Sequence, residues 1–133
     1  MKFIGLDGKE FRVELMQPKN PLRSKEDSKS KFQWETGCAL RRVFPRFTIL
    51  EEFNIPGTRL HIDFFIPELR IAVEADGAQH NKYSPFFHVT KEGFRRSQAR
   101  DRNKEEWCKI NNIRLIRVKK NEDVEGKIGE SLQ

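Results

Sequence analysis

The chain has 133 residues, 26 Lys+Arg against 20 Asp+Glu, and eleven Phe. That is the size of one ordinary domain with enough apolar mass for a core, and a hydrophobic share of 36% excludes a disordered chain. No run of about 18 apolar residues offers a membrane span, and a net charge of +6 favours a polyanionic partner.

The N-terminus, MKFIGLDGKEF, meets an acid at Asp7 before any apolar h-region, so it does not read as a secretory signal. Cys38 and Cys108 lack metal-ligand spacing and read as buried free thiols. A cytoplasmic, reducing location is therefore expected, nucleoid-associated if the source is a bacterium or phage. Asp7-Gly8 between apolar runs predicts a β-hairpin over residues 2–15, with Phe11, Val13 and Leu15 alternating against charges. The stretch MQPKNPLRSKEDSKS, with two prolines, reads as a linker. Residues 28–44 predict a helix with Phe32, Thr36, Ala39, Leu40 and Val43 on one stripe, Glu35 at its edge, and Pro45 as the stop. Strands follow at 48–53, 60–66 and 70–76, with turns at Pro56-Gly57 and Pro67-Glu68. Residues 77–91 read as a loop, 92–111 as a long basic helix, and 114–118 (RLIRV) as a last strand. The tail, 119–133, is polar and leaves room for a short helix. The expected organisation is a hairpin and linker (1–27), a core (28–118) and a tail (119–133), in one α/β unit around a mixed sheet.

The hairpin formed by 60–66 and 70–76 carries the chemistry. Side chains alternate faces along a strand. Ile62, Phe64 and Ile66 then share an apolar face with Ile71, Val73 and Ala75, leaving His61, Asp63, Phe65, Ala72, Glu74 and Asp76 on the other. If residues 67–70 form the turn, Ile66 faces Ile71, Asp63 faces Glu74, and His61 faces Asp76. A two-residue turn would instead pair Asp63 with Ala72 and set the carboxylates diagonally. Cross-strand Cβ atoms lie about 4.5–5.5 Å apart, and like charges there destabilise a sheet. A divalent cation relieves the crowding, and hard oxygen donors suit Mg2+ or Mn2+. The plain alternative is a solvated polar face. That face would mix signs, whereas these positions are nearly all acidic in a basic protein.

The segment DFFIPELRIAVEADGAQH, followed by RDRNKEEW and IRLIRV, resembles the core of the PD-(D/E)XK nuclease superfamily. Its look is that of the branch of very-short-patch repair endonucleases and related phage homing endonucleases. The resemblance covers roughly residues 28–118 and implies an αβββαβ restriction-endonuclease-like core and phosphodiester hydrolysis. By resemblance, Asp63 and Glu74 match the metal-binding acids, Glu35 the acid of the first helix, and His80 the histidine after the core strand. Asp76 stands where the family motif has lysine, which makes it a candidate further metal ligand. The repair enzymes' structural zinc has no counterpart here, because two cysteines cannot supply a four-cysteine site.

The implied function is a Mg2+-dependent (or Mn2+-dependent) endodeoxyribonuclease acting on duplex DNA, in a homing, repair or defence setting. Asp63, Glu74 and Asp76 would hold metal, Glu35 a second ion or water, His80 would handle a proton, and Gln79 would orient water or substrate. In the basic helix, Ser97, Asp101, Lys104 and Cys108 fall on one stripe facing the sheet. Lys104 can supply the missing lysine there, or can pair with Asp101 along the helix. Lys82, Lys91, Arg95, Arg96, Arg100 and Arg102 form a candidate phosphate-contacting surface, with a solvated charged face as the commoner alternative. Tyr83, Phe86 and Phe87 can stack on bases or cap the core. Trp34 and Trp107 read as packing residues. A chain this short that cuts both strands needs a homodimer or two visits. The rival function is a DNA-binding module that keeps the fold without cutting.

Overall fold

The protein is described by a computed structural model over residues 1–15, 21–76, 91–120 and 122–132. The Ser30 hydroxyl accepts the Gln33 N–H at 3.0 Å, so the first helix, α1 (Lys31–Val43), starts after that cap rather than at residue 28. Phe44 ends it, one residue before Pro45, and Arg41 and Arg42 lie in its last turn. In front of it β1 (Lys2–Ile4) and β2 (Glu10–Arg12) form the expected antiparallel hairpin.

Four further strands make one mixed sheet: β3 (Leu50–Asn54), β4 (His61–Ile66), β5 (Ile71–Asp76) and β6 (Arg114–Lys119), in the order β3-β4-β5-β6. The first three are antiparallel, and β6 runs parallel to β5 after the crossover helix α2 (Lys91–Ile110). A 3-10 turn at Pro67–Leu69 and a left-handed Arg70 (φ 51°) join β4 to β5. This turn sets the register Ile66↔Ile71, Phe65↔Ala72, Phe64↔Val73, the first of the two alternatives. A last helix, α3 (Val124–Ser131), lies within the polar stretch after β6 and buries Ile128 completely.

Both faces of the sheet are covered, which corrects the expectation of one apolar and one polar face. On one side Phe64, Ile66, Val73 and Ile116 pack under α1 and α3, meeting Leu40 and Ile128. On the other, Leu50, Phe53, Ile62 and Phe65 pack against Phe3 of the hairpin and Trp107 of α2. Phe65 is therefore core, and Ile62 lies with it rather than with Phe64 and Ile66. Alternation breaks on both strands at this point: Glu52 of β3 is held at φ 55° in the left-handed region, and on β4 the break falls at Asp63. Leu50 and Phe53, three residues apart, consequently share a face. The β3–β4 ladder runs Glu51↔Phe64 and then Phe53↔Ile62, passing over the step at Glu52 and Asp63. The hairpin is pinned as well: the Asn111 side chain donates to the Ile4 carbonyl at 2.8 Å and accepts from the Ile4 N–H at 2.7 Å. No helix among the described residues is long and apolar enough to cross a membrane.

Candidate active site at the β4–β5 step

Beyond Phe64↔Val73, side chains replace the backbone ladder. The Asp63 N–H donates to Glu74 Oε2 at 2.8 Å, and the Ala75 N–H donates to Asp63 Oδ2 at 2.9 Å. The two carboxylates thus bridge the strands just where the register extends to bring residue 63 opposite residue 74. Glu74 shares parity with Ala72 and lies on the α2 side, where Lys104 Nζ donates to its Oε1 at 2.5 Å. The Glu74 side chain is only 3% exposed and that of Lys104 18%, so this is a largely desolvated ion pair.

One residue further on, Arg117 of β6 gathers a second set of acids. It pairs with Glu74 in the β5–β6 register. Its guanidinium lies 3.5 Å from Asp76, 3.8 Å from Asp101 and 3.3 Å from Glu105, and donates to the Asp101 carbonyl at 3.3 Å. Burial alone would lower its pKa; Asp76, Asp101, Glu74 and Glu105 together outweigh that and hold it charged. Arg117 escaped the sequence reading, although its signal was present. In RLIRV, Leu115 and Arg117 share a face, and a cation on the inner face of a strand covered on both sides needs a partner.

Asp63 has the opposite problem. Desolvation first, and Glu74 second, push its carboxyl up to about 8, against the opposing pull of the Ala75 N–H and Lys104. Neighbouring Cys108 is a buried thiol whose pKa burial and Glu74 drive up to about 12, so it packs rather than reacts.

The remaining predicted residues fall in different places. Asp101 and Lys104 do lie on the inward stripe of α2, but they pair with Arg117 and Glu74 across elements. Glu35 is half-exposed and points away from the buried stripe, 3.9 Å from Lys31 along α1. The acids that α1 does meet are Glu51 and Glu52, whose carboxylates each accept from Gln33 Nε2 at 2.9 Å. Asp76 faces Arg117, and among the described residues no three His, Cys, Asp or Glu side chains converge as a metal cluster would. His61 is exposed and pairs across the sheet with Asn54. His80, Gln79 and Lys82, with Tyr83, Phe86 and Phe87, lie outside the described residues. Lys91, Arg95, Arg96, Arg100 and Arg102 are exposed on α2. By the helical period Arg96 and Arg100 flank its inward face, while Lys91, Arg95 and Arg102 point outward. Trp107 is completely buried, as expected of a packing residue, and Trp34 is half-buried beneath Lys25.

The chain is similar to two iridovirus proteins. Over 59 residues it is 49% identical to "Uncharacterized protein 307L" of Invertebrate iridescent virus 6, a stretch covering 44% of this chain and 30% of that protein. Over 64 residues it is 41% identical to "Uncharacterized protein 033L" of Invertebrate iridescent virus 3, covering 48% of this chain and 33% of that protein. The chain thus spans about a third of the length of the curated relatives it matches. No family model and no solved structure matches it.

Proposed function

We propose that this chain is a metal-dependent DNA endonuclease with the restriction-endonuclease-like αβββαβ core of the PD-(D/E)XK superfamily. The observation that supports it best is the Asp63–Glu74 bridge, with Lys104 on Glu74 and the cations of α2 beside it. Two carboxylates supply hard oxygen donors, and Asp63 is pushed up first by desolvation and second by the Glu74 charge beside it. Mg2+ typically takes one or two protein carboxylates and fills its other positions with water and substrate phosphate, so this pair fits it.

A bound Mg2+ or Mn2+ supplies charge neutralisation to the scissile phosphodiester and makes the attacking water more acidic. Asp63 and Glu74 are the residues that would hold the cation. Lys104 shifts its donors from Glu74 to a phosphate oxygen as charge builds on it. Arg117 offsets part of the charge of Asp76, Asp101 and Glu105, which lessens their repulsion of the incoming backbone. Arg96 and Arg100, flanking the inward face of α2, contact neighbouring phosphates and set the position of the strand. Glu35, half-exposed on α1, is not part of this arrangement.

The test is plasmid nicking in Mg2+ or Mn2+ against EDTA, for wild type, Asp63→Asn and Glu74→Gln. Nicking that needs the metal and disappears in both variants, with DNA binding kept, is expected. Cleavage at wild-type rate in both variants would remove the pair from the mechanism. A second reading, a non-cutting DNA-binding module, draws support from the Lys104–Glu74 and Arg117–Asp76 pairs, which leave these acids internally satisfied. It predicts DNA binding with no cleavage under either metal.

A further inference from the structure

The far end of the sheet from Asp63 and Glu74 carries a different chemistry. A cleft of about 730 Å³ opens there between the β4–β5 turn, the α2–β6 turn and the residue after α3. Three cations line it, Arg70, Lys109 and Arg114, along with the aliphatic side chains of Leu69, Ile113 and Leu132, and among the described residues no carboxylate side chain does. Among the described residues none of these cations takes part in an ion pair.

The arginines are nonetheless held in place. Arg70 Nη1 donates to the Asn111 carbonyl at 2.7 Å, and Arg114 Nη1 donates to the Ser131 carbonyl. Each bond uses one of five guanidinium donors, leaving the rest of the fork oriented and unspent. The rim is apolar. Leu69 is 37% exposed and Leu132 41%, and Ile110, 40% exposed, adjoins Lys109 in the chain. These are three of the six large apolar side chains exposed among the described residues.

Oriented cations without carboxylates, set among exposed aliphatic groups, complement a ligand that is anionic and aliphatic together. A single strand would meet the cations but find no aromatic ring in this lining for its bases, and a duplex would offer phosphates to the cations but nothing apolar to cover the exposed Leu69 and Leu132. A polypeptide bearing carboxylates between Leu, Ile or Val side chains satisfies both features, with forked carboxylate–guanidinium contacts giving orientation. We infer that this cleft is a docking site for an acidic, aliphatic segment of a partner protein. Its carboxylates lie on Arg70, Lys109 and Arg114, and its aliphatic side chains lie against Leu69 and Leu132. The site stands apart from the Asp63–Glu74 bridge and does not depend on whether that bridge cuts DNA.

The experiment is fluorescence anisotropy of the full chain at low salt, with a short labelled peptide of alternating Glu and Leu. The comparison probes are a Glu/Ser peptide of equal length and a labelled oligo-dT. Wild type should bind the Glu/Leu peptide roughly tenfold more tightly than the Glu/Ser peptide, since only the former covers the rim. Replacing Arg70, Lys109 and Arg114 by Gln should weaken it by about tenfold or more. Leu69→Ser with Leu132→Ser, at partly exposed positions and with an unchanged far-UV spectrum as the folding control, should weaken it roughly fivefold. Lys91→Gln with Arg95→Gln, both pointing outward on the distant first turns of α2, should leave it within about twofold.

Equal binding of the two peptides, or an equal loss from the α2 variant, would overturn the inference. Oligo-dT binding that falls with the cleft variants while peptide binding does not would assign the cleft to nucleic acid instead. Self-association lost in the cleft variants, without peptide binding, would assign it to a second copy of the chain.

Discussion

Glu51 and Glu52 lie on the α1 side of the sheet; Asp63 and Glu74 cluster at the β4–β5 step beside α2. Both pairs are crowded carboxylates at or next to buried strand positions, yet they are compensated differently. Glu51 accepts from the Arg23 N–H at 2.8 Å and from Gln33, while Glu52 accepts from Gln33 and from Lys29 Nζ at 2.9 Å. Burial would raise the Glu52 pKa, but Gln33 and Lys29 more than reverse it, and the carboxyl lies below its ordinary value. At the β4–β5 step the balance tips the other way, and Asp63 is pushed up to about 8. A neutral amide shared between two anions, with a cation on one of them, is a structural solution. A buried acid left underneutralised is where a further cation does work.

That contrast can be broken most sharply by cleavage itself. Asp63→Asn or Glu74→Gln should lower plasmid nicking by about a thousandfold, the kinetic equivalent of roughly 4 kcal/mol. Glu52→Gln should leave nicking within a few-fold. Comparable losses from both clusters would end the distinction between them. Next in size is Lys104→Met, which strands Glu74 without its charged partner and should destabilise the metal-free protein by ~3 kcal/mol in urea titration. An unchanged unfolding midpoint would mean that the 2.5 Å pair contributes nothing in solution.

Gln33→Leu removes the shared donor from Glu51 and Glu52 and should cost about 2 kcal/mol of stability, with nicking kept. If nicking fell with it, the α1-side acids would belong to the site after all. Smallest per unit of the variable changed, though not over its whole window, is a pH slope. A carboxyl whose folded pKa is raised binds its proton more tightly in the native state, so its contribution is full at low pH. That contribution fades as pH climbs from the ordinary aspartate value of 3.8 toward about 8. In EDTA the Tm of wild type should therefore fall across that window, by at most about 1.4 kcal/mol of stability per pH unit, and Asp63→Asn should flatten the fall. A steeper decline in the variant would reverse the assignment.

The element order was readable beforehand, because apolar alternation and turn residues act over a few neighbouring positions, but the same spacing allowed two registers for the 60–76 hairpin, and the structure takes the one with Ile66 opposite Ile71. The inward stripe of α2 was readable for the same reason, and with it the placing of Lys104 against the sheet. Glu35, expected at the edge of the α1 stripe, lies outside its buried residues; its place in the site came from the family resemblance and not from spacing. Ile62 and Phe65 misled because strict alternation does not anticipate a break inside β4 at Asp63, opposite the left-handed Glu52.

Local spacing was enough to bring acids together on neighbouring strands and to turn a lysine toward them. Which cation answers which acid was settled only by the packing of α2 onto the sheet, which gives Glu74 to Lys104 and Asp76 to Arg117. The periodicity of one element says which way a side chain points. An ion pair between elements depends on how far apart, and at what angle, the two elements dock, and neither quantity is written in the spacing of either segment.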